Sequence, residues 1–61
     1  MNNQKDEKVY INNYLQAMLY IKHGVKCLDT VYNERMDKIT FIFNREESYP
    51  LYLKWLKHEL K

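Results

Sequence analysis

The chain has very few of the residues that form cross-links and tight loops. Its 61 residues include one cysteine, one glycine and one proline. The single cysteine, Cys27, excludes a disulfide within the chain and is typical of the reducing cytoplasm, where thiols stay free. With Gly24 as its only glycine, the chain has no glycine-rich loop that would hold phosphates. These scarcities argue against a secreted disulfide scaffold and against a nucleotide-dependent enzyme.

Long apolar runs and a large net charge are missing as well. The longest apolar run, residues 17–21, is far shorter than the roughly 20 residues that cross a membrane. The polar amino terminus contains no apolar segment of the kind found in secretion signals. Ten Lys and Arg against eight Asp and Glu give a formal charge of +2, too small to indicate nucleic-acid binding by itself. We therefore expect a cytoplasmic protein with no membrane partner.

Metal ligands and catalytic groups are equally scarce. The candidate ligands are His23, Cys27 and His58, whereas a structural zinc site takes four ligands in paired spacings. Glu46 and Glu47 are adjacent, so they do not face each other, and acidic residues near a helix start are explained by the helix dipole. The sequence predicts a protein that is not an enzyme and that has no cofactor and no metal.

Apolar and aromatic residues, in contrast, are plentiful, at 46% and 15% of the chain. That content predicts a folded domain, and we expect residues 1–7 to be disordered and residues 8–61 to form one small domain. A domain of this size buries only about 60% of its unfolded surface. It therefore needs unusually good packing, self-association or a partner for stability.

The clearest secondary-structure signal is a strand at residues 38–44, where apolar side chains alternate. We expect the inward residues to be Ile39, Phe41 and Phe43, and the outward ones to be Thr40 and Ile42. Residues 25–33 predict a second strand, joined to the first by the polar turn 34–37 as an antiparallel hairpin. Its core side is expected to carry Val25, Cys27 and Val31, and its other side Leu28, Thr30 and Tyr32. A short strand is predicted at residues 8–11.

Two helices complete the pattern. The first runs from Tyr14 to His23, with Asn12 or Asn13 as its cap and Gly24 as its stop. Its expected core stripe is Leu15, Met18 and Leu19, widened by Tyr14, Ala17 and Ile21, and its expected solvent face is Asn13, Gln16, Tyr20 and His23. Ser48 is expected to cap the last helix, with Pro50 in the first turn. That helix would continue to Lys61 and bury Leu53, Leu56 and Leu60.

The element order is strand, helix, strand, strand, helix, which predicts the α+β class. We expect a small antiparallel sheet of two or three strands, with both helices packed on one face. The other face would carry Leu28, Thr30, Tyr32, Thr40 and Ile42. An exposed face that is only half polar indicates a contact surface. It predicts either a docking site for a protein or the interface of a homodimer.

The last helix offers two further contact surfaces. Basic residues at intervals of three and four form one edge of the expected helix, made of Lys54, Lys57, His58 and Lys61. With aromatic side chains beside it, such an edge suits single-stranded nucleic acid, although charged edges are also ordinary solvent faces. Tyr52 and Trp55 lie beside the edge and suit a protein contact, because aromatic residues dominate interface hot spots.

Two stretches of the chain, residues 14–28 and the Ile-Thr-Phe-Ile-Phe strand at residues 39–43, resemble a known family. It is a small uncharacterised bacterial domain common on phages and integrative elements of Gram-positive bacteria. The resemblance supplies no activity and no site residues. It implies a setting in which small proteins act as accessory subunits, regulators or inhibitors.

Three functions follow as hypotheses. The first is a non-enzymatic accessory protein of a mobile element, which binds a larger replication protein encoded nearby, of polymerase, primase or helicase type. The second is direct binding of single-stranded nucleic acid by the basic edge. The third is a phage-type inhibitor of a host defence protein.

Overall fold

The computed structural model describes residues 7–61 and confirms the α+β class. Its elements are β1 (Lys8–Ile11), α1 (Tyr14–Lys22), β2 (Cys27–Asn33), β3 (Lys38–Asn44) and α2 (Arg45–Leu56). Of the segment expected to be disordered, residues 1–6 lie outside the described residues. Glu7 is described, and its backbone oxygen accepts a hydrogen bond from the Arg45 N–H at 2.9 Å. None of the helices in the described part is long and apolar enough to cross a membrane.

The sheet has three antiparallel strands in the order β1-β3-β2. Phe43 of β3 is fully buried and pairs with Val9 on one side and with Cys27 on the other. The strand expected to anchor the fold is therefore its central strand. The core gathers over the Phe43 end of the sheet and consists of Ala17, Tyr20, Val25, Phe41, Phe43 and Leu60.

A β-bulge changes which side chains of β2 face the helices. The register shifts between Cys27 and Asp29, so that Thr30 pairs with Phe41 and Tyr32 with Ile39. Cross-strand partners lie on the same face of a sheet. Thr30 and Tyr32 are therefore on the helix side, whereas Val31, which pairs with Thr40, is on the open side. The expected alternation is wrong beyond residue 28, because one inserted residue exchanges the two faces.

The ends of α1 are as expected, but its orientation is not. The Asn13 side chain accepts the Gln16 N–H at 3.0 Å, and Gly24 adopts a φ of 95° just beyond the helix. The buried residues of the helix are Gln16, Ala17 and Tyr20, whereas Tyr14, Leu15 and Ile21 are exposed. The predicted core stripe is thus wrong for Tyr14, Leu15 and Ile21. Its other members are in or against the core as expected: Ala17 is buried, and Met18 and Leu19 are partly buried and pack against it.

A buried polar pair explains this orientation of α1. Gln16 Nε2 donates a hydrogen bond to the Tyr20 hydroxyl at 2.8 Å, which satisfies both groups away from water. The Tyr20 ring meets Phe43 edge to face, with 5.1 Å between ring centroids. Ala17 is small and fully buried, so the helix backbone can lie close to its neighbours.

The last helix begins earlier and ends earlier than expected. Asn44, not Ser48, is its cap, since the Asn44 side chain accepts the Glu47 N–H at 3.0 Å. Ser48 instead is buried, and its hydroxyl donates to the backbone oxygen of Asn44 at 3.0 Å. Pro50 consequently lies inside the helix. It cannot donate a backbone hydrogen bond there and favours a bend.

The chain turns away at the end of α2. His58 has a φ of 59°, which a helix does not allow, and the helix ends at Leu56. Leu53 and Leu56 are exposed, contrary to expectation, while Leu60 is buried as expected. Leu60 reaches the core after the reversal and not as part of a helical stripe.

Exposure along β3 also departs from the simple alternation. Ile42, expected outward and accessible, is only 8% exposed, since it lies in the central strand between Tyr10 and Asp29 of the two edge strands. Ile39, expected in the core, is 49% exposed. The core is formed at the Phe43 end of the sheet, and Ile39 lies toward the hairpin end.

Candidate functional site

An apolar hollow lies between β1 and α2 on the helix side of the sheet. Its volume is about 270 Å³. It is lined by Val9, Ile11, Tyr20, Arg45, Ser48, Tyr49 and Tyr52. Among these lining residues the Arg45 side chain is the only charged one. The hollow is therefore an apolar depression with one cation at its margin.

The floor of the hollow is aromatic and uncharged. It is formed by the buried Tyr20, held between Gln16 and Phe43. Burial raises the pKa of the Tyr20 hydroxyl above its usual value, an effect that the hydrogen bond from Gln16 opposes and that the nearby Tyr52 reinforces. The group is thus neutral at physiological pH. It presents an aromatic surface to whatever enters the hollow.

Two tyrosines of α2 form the rim. Tyr49 and Tyr52 are 50% and 41% exposed, and their ring centroids are 6.3 Å apart. Neither ring is buried in the core. Aromatic side chains beside a depression are typical anchors of protein interfaces. The structure therefore gives the predicted contact residue Tyr52 an accessible position beside an apolar hollow.

The hollow adjoins a sheet edge. The outer edge of β1 has no partner strand within residues 7–61. Residues of an antiparallel pair alternate between hydrogen-bonded and non-hydrogen-bonded positions. The hydrogen bond from the Arg45 N–H to the Glu7 oxygen shows that Glu7 is at a bonded position. By that alternation Val9 and Ile11 bond to β3, while the N–H and C=O of Tyr10 point away from it. A partner strand would therefore find unpaired backbone groups beside the hollow.

Trp55 has a different position from Tyr52. It is partly buried and packs against the core cluster. Only part of its surface is open to a partner. Its predicted role in a contact stays a prediction.

The predicted basic edge of the last helix is not formed as expected. Lys54 lies in the last turn of α2, but Lys57, His58 and Lys61 follow the end of the helix. Helical spacing therefore does not align them, although all four side chains are exposed. The C-terminal segment packs back on the fold, and His23 Nε2 lies 2.7 Å from the backbone oxygen of Lys61.

The other predicted contact residues do not share one face. Ile42 is buried, so the expectation that it lies on an accessible face is wrong. Tyr32 is exposed on the helix side of the sheet, and its hydroxyl donates to the Asp37 carboxylate, which raises the pKa of Tyr32. Leu28 is exposed at the bulge. The docking face proposed from these three residues does not exist as one surface.

A second groove was missed because Tyr14 and Leu15, which were expected in the core, are exposed. It has a volume of about 650 Å³ and lies between the start of α1 and the start of β3. Tyr14 and Leu15 line it on one side and Ile39 and Phe41 on the other. It is a wide, open surface and lacks the adjoining free strand edge of the first hollow.

Polar chemistry is sparse in the described part of the chain. Within residues 7–61 there is no group of three or more His, Cys, Asp or Glu side chains that could hold a metal ion. In the same residues, every buried side-chain nitrogen and oxygen has a hydrogen-bond partner. In comparisons with known proteins, no family model, no curated protein and no solved structure matches the chain.

Proposed function

We propose that this chain is a non-enzymatic protein-interaction module whose partner binds at the hollow between β1 and α2. The observation that carries the proposal is the apolar hollow itself, with Tyr49 and Tyr52 exposed on its rim. Burying aromatic and aliphatic surface of this kind is the main favourable term in protein association. A partner also supplies the packing that so small a domain otherwise lacks.

The kind of partner comes from the sequence. The resemblance to a domain of phages and integrative elements supports a larger replication protein encoded nearby, of polymerase, primase or helicase type. The single free cysteine supports action in the cytoplasm. An inhibitor of a host defence protein would use the same hollow, and the identity of the bound protein separates the two roles.

Co-expression with the products of neighbouring genes tests the proposal. We expect one of them to co-purify with the chain, and Tyr52→Ala to weaken that complex by roughly tenfold or more, as for an interface anchor. Tyr32→Ala is the matched control, because Tyr32 is also exposed but lies at the hairpin end of the sheet. Its complex should keep the affinity of the wild type.

Two results would contradict the proposal. One is that none of the neighbouring gene products binds the chain. The other is a complex that Tyr52→Ala leaves unchanged while Tyr14→Ala, in the second groove, weakens it. The second result would move the contact to the groove between α1 and β3.

Nucleic-acid binding is a second candidate because Lys54, Lys57 and Lys61 are all exposed. Binding of this kind weakens steeply with added salt, since each phosphate contact releases counterions. We expect the binding of a fluorescent single-stranded oligonucleotide to be lost when these three lysines are replaced by Ala. Binding that is insensitive to both salt and the replacements would exclude this surface.

A further inference from the structure

We infer that the partner binds at the hollow as an added β-strand: an extended segment pairs with the outer edge of β1 and places a large apolar side chain in the hollow. The inference deepens the proposed function and rests on it, because both use the same site. Strand addition of this kind takes its affinity from main-chain hydrogen bonds and its specificity from pockets for alternate side chains.

The edge of β1 offers the main-chain part. The N–H and C=O of Tyr10 point away from β3. The Tyr10 side chain is 64% exposed, so it is not packed over these two backbone groups. A strand placed there would extend the sheet order to four strands.

The hollow lies where the side chains of an added strand would point. Val9 and Ile11 face the helices, and side chains opposite them on a neighbouring strand would lie about 5 Å away on the same face. The volume of about 270 Å³ lies just under the ~300 Å³ at which small-molecule sites begin. It therefore suits one large side chain better than a whole ligand.

The charge at the hollow specifies the segment further. Arg45 is the only charged residue among those that line it, and its contact with Glu7 is long, at 3.8 Å, with both side chains more than half exposed. Exposed pairs of this kind contribute little. The guanidinium can therefore donate hydrogen bonds to a carboxylate of the partner. The expected ligand is an extended peptide with a large apolar residue close to an acidic one.

The opposite edge explains why β1 is the edge that receives the strand. On β2, the Asp29 side chain accepts the Thr30 N–H at 2.8 Å, so that outward-facing donor is already bonded. The bulge between Cys27 and Asp29 also breaks the regular spacing of the edge. Bulges and charges are the usual means by which proteins close a sheet edge. β1 lacks both.

A panel of synthetic nine-residue peptides tests the inference. Each peptide alternates Thr and Val and carries Phe, Leu or Ala at its centre, followed by Asp or Lys. Fluorescence anisotropy gives the affinity, and amide hydrogen exchange by NMR reports on the edge. We expect the Phe-Asp and Leu-Asp peptides to bind roughly tenfold tighter than the Ala or Lys versions, and the Tyr10 amide to exchange roughly tenfold more slowly in the complex.

Backbone changes separate strand addition from side-chain docking. N-methylation of alternate amides in the best peptide should abolish binding when it blocks the edge facing β1, and leave it unchanged on the other edge. On the protein, Tyr10→Pro removes the outward N–H and should weaken binding well beyond Tyr10→Ala. Thr30→Pro, on the closed edge, is the matched control and should bind as the wild type does.

Each of the other outcomes contradicts a specific part of the inference. If Tyr52→Ala weakens peptide binding while N-methylation and Tyr10→Pro do not, strand addition is wrong and the proposed function stands. A peptide complex that Tyr52→Ala leaves intact contradicts the use of the hollow itself. No peptide binding below about 1 mM overturns the inference. So does protection of the Tyr10 amide that rises with protein concentration alone, because a second copy is then the occupant.

Discussion

The two edge strands of the sheet, β1 and β2, differ in how accessible their outward backbone groups are to another chain. β2 is the longer edge, with seven residues, yet it has a bulge and an aspartate side chain bonded to the backbone of Thr30. β1 has only four residues and neither feature, and an apolar hollow lies beside it. We infer that the short edge, not the long one, receives the partner strand.

The contrast arises from local side chains acting on the same central strand. β3 pairs with both edges, so both have the same kind of backbone neighbour. What differs is the outward side: the Asp29 side chain accepts the outward N–H of Thr30 on β2, whereas the outward N–H of Tyr10 on β1 lies beside an exposed tyrosine ring. The availability of an edge therefore depends on single residues and not on strand length.

The largest expected effect comes from Phe43→Ala, which removes the residue that links the two edges. Phe43 is fully buried and pairs with Val9 and Cys27. The cavity should cost about 3–5 kcal/mol, comparable with the whole stability of a domain this small. Urea unfolding followed by circular dichroism measures it.

Ile39→Ala is the control for Phe43→Ala. It lies on the same strand and the same face but is half exposed. Its loss should cost about 1 kcal/mol or less, in line with its partial burial. Equal losses for the two variants would contradict the placement of the core at the Phe43 end of the sheet.

The next effect concerns the tyrosine beneath the hollow. Tyr20→Phe leaves the buried Gln16 amide without its acceptor and should cost about 1–3 kcal/mol. Burial raises the pKa of Tyr20 in the folded protein, so its stabilising contribution is present below pH ~10 and is lost as pH rises above that value. We expect the free energy of unfolding to fall in alkali less steeply in Tyr20→Phe than in the wild type.

Tyr32→Phe gives the matched comparison on the β2 side. The pKa of Tyr32 is also raised, by its hydrogen bond to Asp37, but this side chain is exposed to solvent. We expect its replacement to change the alkaline slope less than Tyr20→Phe does. A larger change would show that the hairpin end, not the floor of the hollow, dominates alkaline unfolding.

Substitutions of Asp29 on the β2 edge should change stability less than those of Tyr20. They should, however, clearly change the self-association of the chain. Asp29→Ala releases the Thr30 N–H, and chains should then associate through β2 at roughly tenfold lower concentration than the wild type. Asp29→Asn keeps an acceptor oxygen and should associate less than Asp29→Ala. Sedimentation velocity measures both. Identical behaviour of Asp29→Ala and the wild type would show that the bulge alone closes the edge.

The smallest effect is expected for Arg45→Ala. Its contact with Glu7 is long and exposed, so the loss of stability should stay within about 0.5 kcal/mol. The same variant should weaken the Asp-containing peptides and leave their Lys versions unchanged. An equal loss for both peptide types would remove Arg45 from the recognition of the partner.

The sequence was a good guide to the existence and order of the elements. Alternation identified β3, and the punctuation by Asn13 and Gly24 marked both ends of α1. These signals are local, because strand alternation and helix capping depend on neighbouring residues. The start of α2 was missed, because Asn44 and Ser48 are both good capping residues and only the end of β3 decides between them.

The candidate site was only partly visible in the sequence. Tyr52 was predicted to be a contact residue and does line a hollow, but that hollow joins β1, α1 and α2, which are distant in the chain. The prediction of one face containing Leu28, Tyr32 and Ile42 is wrong because of the bulge, which no residue type in the sequence indicates. One inserted residue exchanged the faces of β2.

By itself, the sequence determined a small α+β domain, because its periodicities and caps act over a few residues. Only the tertiary structure decided which residues of α1 are buried, since a hydrogen-bonded Gln16 and Tyr20 pair lies in the core while Leu15 is exposed. It also decided which sheet edge is open. That depends on what lies beside each strand in space, which local pattern does not encode.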